Sequence, residues 1–464
     1  MPLTCDNDQA DRLARAVRFR TITIASESPR TDPCYPEFVS FVAFLREQFP
    51  LAAARLEWEQ LGDFALLLTW RPTPGPANGP GLLFYAHFDV VPAGDESAWT
   101  HPAFGGLCAD GFVWGRGTLD DKNTLMALME SVESLLQDGF QPARTVYLAF
   151  GGDEEALGDL GAGTIARELT GRGVRLACVF DEGSVIADRI VRFIARPLAM
   201  IGLAEKGLAN IEVTVTGTPG HSSMPGRGTA AGALAAVIAS IEKDRFPPRL
   251  IPVVARFFAS IAPHARGAIS VALRLLKPLW LLLRGAVTAD ESVDALLRTT
   301  QAVTMLRSGE VPNVIPCEAR AVVNLRLLPG DTTSGALAHV ERAARRALPG
   351  GFALRVGFLP RTTLSEPVPE ARIEPGLWKA VEDSVRLVEP SALTVPFLVV
   401  AATDSWQFAP LTDAIVRFMP ATLTAEDVAR LHGVDERISL ENYGRMIAYY
   451  GRILRVLSAG APNE

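Results

Sequence analysis

The chain has 464 residues, more than one hydrophobic core usually serves, so two domains or one large one are expected. Its 48% hydrophobic and 21% charged residues exclude a disordered, collagenous or coiled-coil chain. Lys+Arg total 45 against Asp+Glu 52, a net charge of −7, and no block of Lys/Arg occurs; this balance argues against nucleic acid or an anionic membrane as partner.

The five cysteines, Cys5, Cys34, Cys108, Cys178 and Cys317, are scattered and contain no CxxC pair. They read as free thiols in a reducing, cytoplasmic compartment, with no disulfide framework and no thiolate metal site. The opening MPLTCDNDQADRLARAV has Asp residues where a signal peptide would need an apolar core. No uncharged apolar run reaches the ~18 residues of a membrane span. The nearest stretch, Ala268 to Val287, is broken by Arg274, Lys277, Pro278 and Arg284. It is read as a buried or capping helical segment in preference to membrane contact.

Along the chain, one pattern recurs three times: an apolar run of strand length ends, and a group able to bind metal follows. Leu82–Ala86 precedes His87 and Asp89; Val146–Phe150 precedes Asp153, Glu154 and Glu155; Leu176–Phe180 precedes Asp181 and Glu182. Runs apolar on both faces suit buried parallel strands, and open α/β sheets bind ligands beyond the carboxyl ends of their strands. A fourth run, Phe397 to Ala402, ends at Thr403-Asp404-Ser405 and is assigned to the same rim. Between the first two runs, Leu125, Leu128, Met129, Val132, Leu135 and Leu136 form a helical stripe that Gly139 stops. Strand, helix, strand predicts a mixed, mostly parallel α/β sheet.

Near Gly207 the texture changes. Ile211, Val213 and Val215 alternate with polar residues; a helix follows at 228–243, then an apolar insert, strands near Val303 and at Ala321–Leu328, a helix at Ser334–Leu348, and alternation from Phe352 to Phe358. That β-α-β-β-α-β order predicts a ferredoxin-like α+β domain at 207–360, inserted into a catalytic domain made of 1–206 and 361–464 and closed by a helix around Tyr443–Leu457.

Imidazole and carboxylate groups without thiolate suit zinc, manganese or cobalt in a hydrolytic site. His87, Asp120, Glu154, Glu155, Asp181 and His432 are candidates, and neighbouring glutamates can divide the work of ligand and base because they point different ways. Asp89, two residues from His87, can hold the imidazole tautomer from the same strand face. Taken singly, an acidic residue after a strand is an N-cap or a solvated charge, and His101, His264 and His339 read as packing or loop residues. Residues and spacing alone therefore reach a metal hydrolase and no further.

The motifs go further. Tyr85-Ala86-His87-Phe88-Asp89-Val90-Val91-Pro92 resembles the HxDVVP motif of the M20 metallopeptidase family. Gly115 to Asn123, Gly152-Asp153-Glu154-Glu155 and Gly220-His221-Ser222-Ser223-Met224-Pro225 resemble its next three in order, and Asn313-Val314-Ile315-Pro316 and Asn324-Leu325-Arg326 also match. Thr403-Asp404-Ser405 and Asp435 to Ser439 resemble the carboxypeptidase S branch, which includes N-acyl-amino-acid hydrolases. The resemblance implies a di-zinc-exopeptidase-like catalytic domain whose inserted domain serves as lid and dimer surface, and two divalent ions, zinc before cobalt or manganese. His87 and Asp181 would hold one, Glu155 and His432 the other. Asp120 would bridge them with a cis peptide to Asp121. Glu154 would be the general base, His221 an oxyanion partner, and Asn313 and Arg326 would bind the substrate's carbonyl and carboxylate. Strand alternation supports Arg326: Val323, Leu325 and Leu327 point one way, Asn324 and Arg326 the other.

The implied activity is hydrolysis of an amide or peptide bond beside a free carboxylate, as in a carboxypeptidase or dipeptidase, through a metal-bridged hydroxide. The alternative is an N-acyl-amino-acid amidohydrolase acting on apolar acyl groups, and the apolar insert at 246–300 favours an apolar acyl or side-chain pocket. A non-catalytic binding protein is a third reading, against which the complete ligand set argues. A homodimer and a small peptide or N-acyl amino acid are the expected partners, with no nucleic acid and no membrane span. Two departures from the branch stand out: Gly152 where histidine is frequent, and Trp406 where a basic residue is common.

Overall fold

The computed structural model describes residues 3–25, 28–72, 79–156, 158–191, 193–226 and 228–459. Its centre is a ten-stranded mixed sheet. The three apolar runs form adjacent strands, Val146–Gly151, Gly81–His87 and Leu176–Asp181, all parallel. Their side chains are buried on both faces, which is why they read as unbroken apolar runs. Since the strands run parallel, the residues that follow them meet at one rim. The fourth run enters as the end of the strand Leu393–Val399, parallel to Leu198–Glu205, and its residues Val400 to Ala402 lie beyond that strand. Antiparallel strands flank the parallel centre, which makes the sheet mixed.

The helix Lys122–Gln137 packs across this sheet with Leu125, Met126, Leu128, Met129 and Val132 in the core, and Gly139 (φ 72°) donates its N–H to Leu136 O to end it. The peptide from Asp120 to Asp121, just ahead of this helix, is cis, as expected. The loop before it turns at Gly115 (φ 139°) and Gly117 (φ 91°), and a Cβ on Gly117 would come within 2.9 Å of Val90 Cγ1. Gly152 backs onto Phe88 and Phe38 so closely that a Cβ would lie 3.0 Å from the Phe88 ring, so this chain has filled with aromatic carbon the space a larger residue would take. The closing helix runs from Leu440 to Ser458.

A second sheet has four antiparallel strands in the order Thr300–Ser308, Glu318–Leu327, Gly207–Thr216, Ala353–Phe358. The helices Ala230–Lys243 and Thr333–Ala347 cover one face and share a separate core with it. In chain order this is the expected β-α-β-β-α-β unit with ferredoxin-like strand order. The helices inside that stretch behave differently. Pro252–Ile261 places Val253, Val254, Phe257, Phe258 and Ile261 in the core of the large sheet, where Phe257 meets Phe397 edge-on at 5.5 Å. The insert is thus a support of the first core, although it lies in sequence between strands of the second. All five cysteines are unpaired, and no helix among the described residues is long and apolar enough to cross a membrane.

One buried ion pair joins distant loops. Arg116 Nη1 lies 2.5 Å from Glu436 Oε2, with both side chains within 1% of complete burial. Glu436 Oε1 accepts the N–H groups of Gly117 (2.9 Å) and Leu119 (2.7 Å), and Arg116 Nη2 donates to His432 O at 3.1 Å. Replacing Glu436 by Ala would strand a buried guanidinium and two backbone donors. The expected loss is about 3–5 kcal/mol of stability, read from denaturant unfolding, with Glu436→Gln in between.

Candidate metal centre

Asp120 is the hub of the rim. Its Oδ1 lies 2.9 Å from His87 Nε2 and its Oδ2 2.9 Å from His432 Nε2. His432 Nε2 is also 3.0 Å from Glu155 Oε1. On the other side, His87 Nε2 is 3.9 Å from Glu154 Oε2 and 3.9 Å from Glu182 Oε1. Three overlapping groups result: His87, Asp120 and Glu182; His87, Glu154 and Glu155; Asp120, Glu155 and His432, each with one ligand atom per residue within 4.8 Å of the others.

Asp89 holds both halves of the site. It is fully buried, its Oδ1 3.3 Å from His87 Nδ1, and its two oxygens accept the backbone N–H groups of Glu154 (3.1 Å) and Glu155 (3.0 Å). The sequence reading assigned it the imidazole; the second task, fixing the turn that carries the two glutamates, emerges only from the structure. That turn is also tied by Asp153, whose oxygens accept from Leu160 N and Gly161 N.

The expected ligand Asp181 does not join the converging atoms, and its neighbour Glu182 does. Asp181 ends its strand opposite Arg417 in the adjacent parallel strand. Its Oδ1 accepts Glu182 N at 2.8 Å, and its Oδ2 is buried with no hydrogen-bond partner among the described residues. Consecutive residues at a strand end point to opposite sides, so only one of the pair can face the site. The sequence reading named Asp181 and gave Glu182 no role; in the structure it is Glu182 that turns toward the converging atoms. Burial pushes the Asp181 carboxyl up to about 7.

The donor set fits divalent cations. Burial, and then the charges of Asp120 and Asp121, push Glu182 well above the ordinary carboxylate range; burial does the same to Glu154, with Asp404 and Glu155 adding to it against the pull of His87. Burial opposes a charge on His87, yet hydrogen bonds to Asp120 and Asp89 outweigh it and hold the ring well above its usual value. Hydrogen bonds to Asp120 and Glu155 push His432 up to about 10. Carboxylates gathered this densely require more positive charge than two imidazoles supply, and nitrogen and oxygen donors without sulfur suit borderline and hard divalent ions.

A cleft of about 340 Å³ opens over this rim. The carboxylates and His432 form its floor, and Leu119, Val185, Leu208, Trp406, Met419 and Leu431 form apolar walls. Arg326 also lines it, half-buried and without an ion-pair partner among the described residues; burial lowers its affinity for its proton. Asp404, with Ala401, Ala402 and Thr403, joins the same rim as anticipated, and Tyr85 Oη donates to it at 2.6 Å. No residue of 246–300 lines the cleft, so the insert contributes no wall to it. His221 and Asn313 also lie away from it. They are exposed on a two-stranded ribbon, Gly220–His221 with Val314–Ile315, where Ser223 Oγ lies 2.9 Å from His221 Nδ1.

A cluster of this composition, at the carboxyl ends of parallel strands and under a cleft, is that of a metal-dependent hydrolase. The chain belongs to peptidase family M20/M25/M40, whose sequence profile matches residues 83–456. It is 34% identical over 456 residues to a probable carboxypeptidase S-like 2 of Dictyostelium discoideum, covering 97% of this chain and 85% of that one. Its identity to the human N-fatty-acyl-amino acid synthase/hydrolase PM20D1 is 32% over 454 residues, covering 96% and 87%. In fold it is similar to an M20 family metallo-carboxypeptidase of Sulfolobus solfataricus (TM-score 0.72, 18% identity, 97% and 99% covered). It is also similar to human carnosine dipeptidase 1 (TM-score 0.67, 16% identity, 97% and 96% covered).

The geometry sets a direct comparison of single variants by metal analysis after saturation and desalting. Glu182→Gln is expected to lose bound divalent metal and Asp181→Asn to retain it. The opposite pattern would restore Asp181 as the ligand.

Proposed function

We propose that the protein hydrolyses the amide bond of small substrates that end in a free carboxylate, and that Arg326 receives this carboxylate. One observation carries the reading: a half-buried guanidinium shares the cleft with the metal-type cluster and has no protein counter-ion among the described residues. A planar fork with five donors fits a carboxylate bidentately, so the substrate supplies the missing charge.

We assign one divalent ion, zinc before cobalt or manganese, to His87, Asp120 and Glu182 and a second to Asp120, Glu155 and His432. Such ions polarise an amide carbonyl and acidify water at neutral pH. Around them the chain's own groups perform the rest. Asp89 fixes the His87 ring and the backbone of the turn that carries both glutamates. Glu154, free of the His432 pair, takes the proton of the attacking water and passes it to the leaving amine. Arg326 sets the distance between the substrate's carboxylate and the reacting carbonyl.

A second reading narrows the other half of the substrate. The walls formed by Val185, Leu208, Trp406, Met419 and Leu431 offer apolar contact. That favours an N-acyl amino acid with an apolar acyl group over a dipeptide, whose ammonium would have to be desolvated there. Steady-state comparison of apolar N-acyl amino acids with dipeptides sharing the same carboxyl residue tests this; faster turnover of the dipeptides would reverse it. Arg326→Gln is expected to lower kcat/KM about 10²-fold for a carboxylate substrate and far less for its carboxamide analogue. Equal losses on both would remove Arg326 from carboxylate binding.

The reading includes a homodimer built on the second domain, taken as 207–360, with 1–206 and 361–464 as the catalytic part. The ribbon bearing His221 and Asn313 is exposed, and the edge strand Thr300–Ser308 carries exposed Met305 and Leu306. In such a dimer each ribbon delivers His221 to the partner's site as oxyanion donor, and Asn313 to the substrate carbonyl. Mixing His221→Ala with Glu154→Gln should then restore partial activity, because one site in each mixed dimer has both native groups. No recovery in confirmed heterodimers would place His221 outside the reaction. The unpaired thiols support a cytoplasmic setting.

A further inference from the structure

The segment from Gly267 to Val287 forms two short helices, Gly267–Leu275 and Trp280–Val287, that are apolar on two sides at once. Inward, Leu276 is 2% exposed, and Leu273, Trp280, Leu283 and Val287 pack against the large core. That side satisfies the expectation of a capping segment. The outward side does not: Leu281 is 74% and Leu282 79% exposed, and Val271, Leu275 and Leu279 are exposed beside them. No residue within either helix is fully buried. Isolated surface leucines need no explanation, but a run of them within one short segment does.

Within the segment itself the charges are of one sign, and exposed Asp290 and Glu291 follow only after its second helix. Arg266, Arg274, Lys277 and Arg284 are exposed, none makes an ion pair among the described residues, and no acidic residue occurs from 265 to 289. This occurs in a chain whose net charge is −7. The overall charge that argued against an anionic partner therefore hides a local patch of the opposite sign. An apolar ridge framed by unpaired Arg and Lys is the composition of a helix that lies in a lipid–water interface. The arginine and lysine stems reach outward to headgroups while the leucines enter the acyl boundary.

We infer that the two-helix segment 267–287 docks the enzyme on the surface of an anionic lipid bilayer, with Leu281 and Leu282 inserted and Arg274, Lys277 and Arg284 against the headgroups. The complementarity of charge selects this occupant over a second copy of the chain. An isologous contact would press these cations against their own symmetry mates, with no carboxylate from 265 to 289 to separate them. No helix here is long enough to span, so the contact is peripheral. The acidic remainder of the molecule is repelled by the same surface, which fixes the orientation of docking. The inference does not rest on the substrate proposed above.

Co-sedimentation of the full-length protein with phosphatidylcholine–phosphatidylserine vesicles, against phosphatidylcholine vesicles alone, tests it. Wild-type protein should pellet with the anionic vesicles and be released by salt. The double variant Leu281→Ser/Leu282→Ser should lower the apparent affinity about tenfold or more, and Arg274→Glu/Lys277→Glu/Arg284→Glu should abolish the preference for phosphatidylserine. These side chains point away from the core and the cleft, so unchanged hydrolysis of a soluble substrate certifies the fold of each variant. Three results would overturn the inference: failure of the wild type to pellet, pelleting of the double variant as wild type, or a concentration-dependent oligomer in light scattering that the leucine variant dissolves while vesicle binding is absent. The last would make a second copy the occupant.

Discussion

Asp120 touches two histidines that come from opposite ends of the chain, with its two oxygens each 2.9 Å from one of them. Everything else at the rim depends on keeping that carboxylate between His87 and His432 while further carboxylates crowd in. Such an arrangement is repulsive without cations, so the scaffold must impose it. Asp89 does so from beneath, since one buried carboxylate orients the His87 ring and the backbone of the Glu154-Glu155 turn. Glu436 does so from the side: it accepts two N–H groups of the loop leading to Asp120 and pairs with Arg116, which in turn holds the carbonyl of His432. The two histidines are thereby fixed through one acid each that stands outside the ligand set.

A second buried network lies behind Asp181. Arg417 Nε lies 2.5 Å from Glu205 Oε2, and Glu205 accepts from Thr403 Oγ1 at 2.7 Å, all within the sheet. Thr403 stands at the start of the segment that brings Asp404 and Trp406 to the cleft, so this network seats the far wall. The site is thus a set of loops at strand ends, positioned by buried ion pairs whose worth lies in geometry more than in net stability.

The insert between the first and second strands of the small sheet shows how sequence position and physical role separate. Its first helix completes the large core through Phe257 and Phe397, and its two-helix segment 267–287 presents leucines to the outside. Hydrophobic content alone could not distinguish core, pocket and interface, because all three select the same residue types. The apolar lining of the cleft over the cluster is instead scattered through Leu119, Val185, Leu208, Trp406 and Leu431, which no local pattern links.

Read by itself, the sequence determined what depends on local order. Apolar runs followed by ligand residues specified parallel strands with a polar rim, the stripe after Asp121 specified a helix, and alternation from Ile211 to Phe358 specified the ferredoxin-like sheet. Periodicity carries this information because burial on one face or two is written into successive residues. The motif resemblance singled out His87, Asp120, Glu154, Glu155 and His432, which do converge, and Asp181, which does not. Tertiary structure alone decided what turns on direction in space: that Glu182 and not Asp181 faces the converging atoms; the second task of Asp89; the Glu436 clamp; and the exposure of His221 and Asn313. Distances between residues hundreds of positions apart follow from packing of the whole chain, and no window of the sequence contains them.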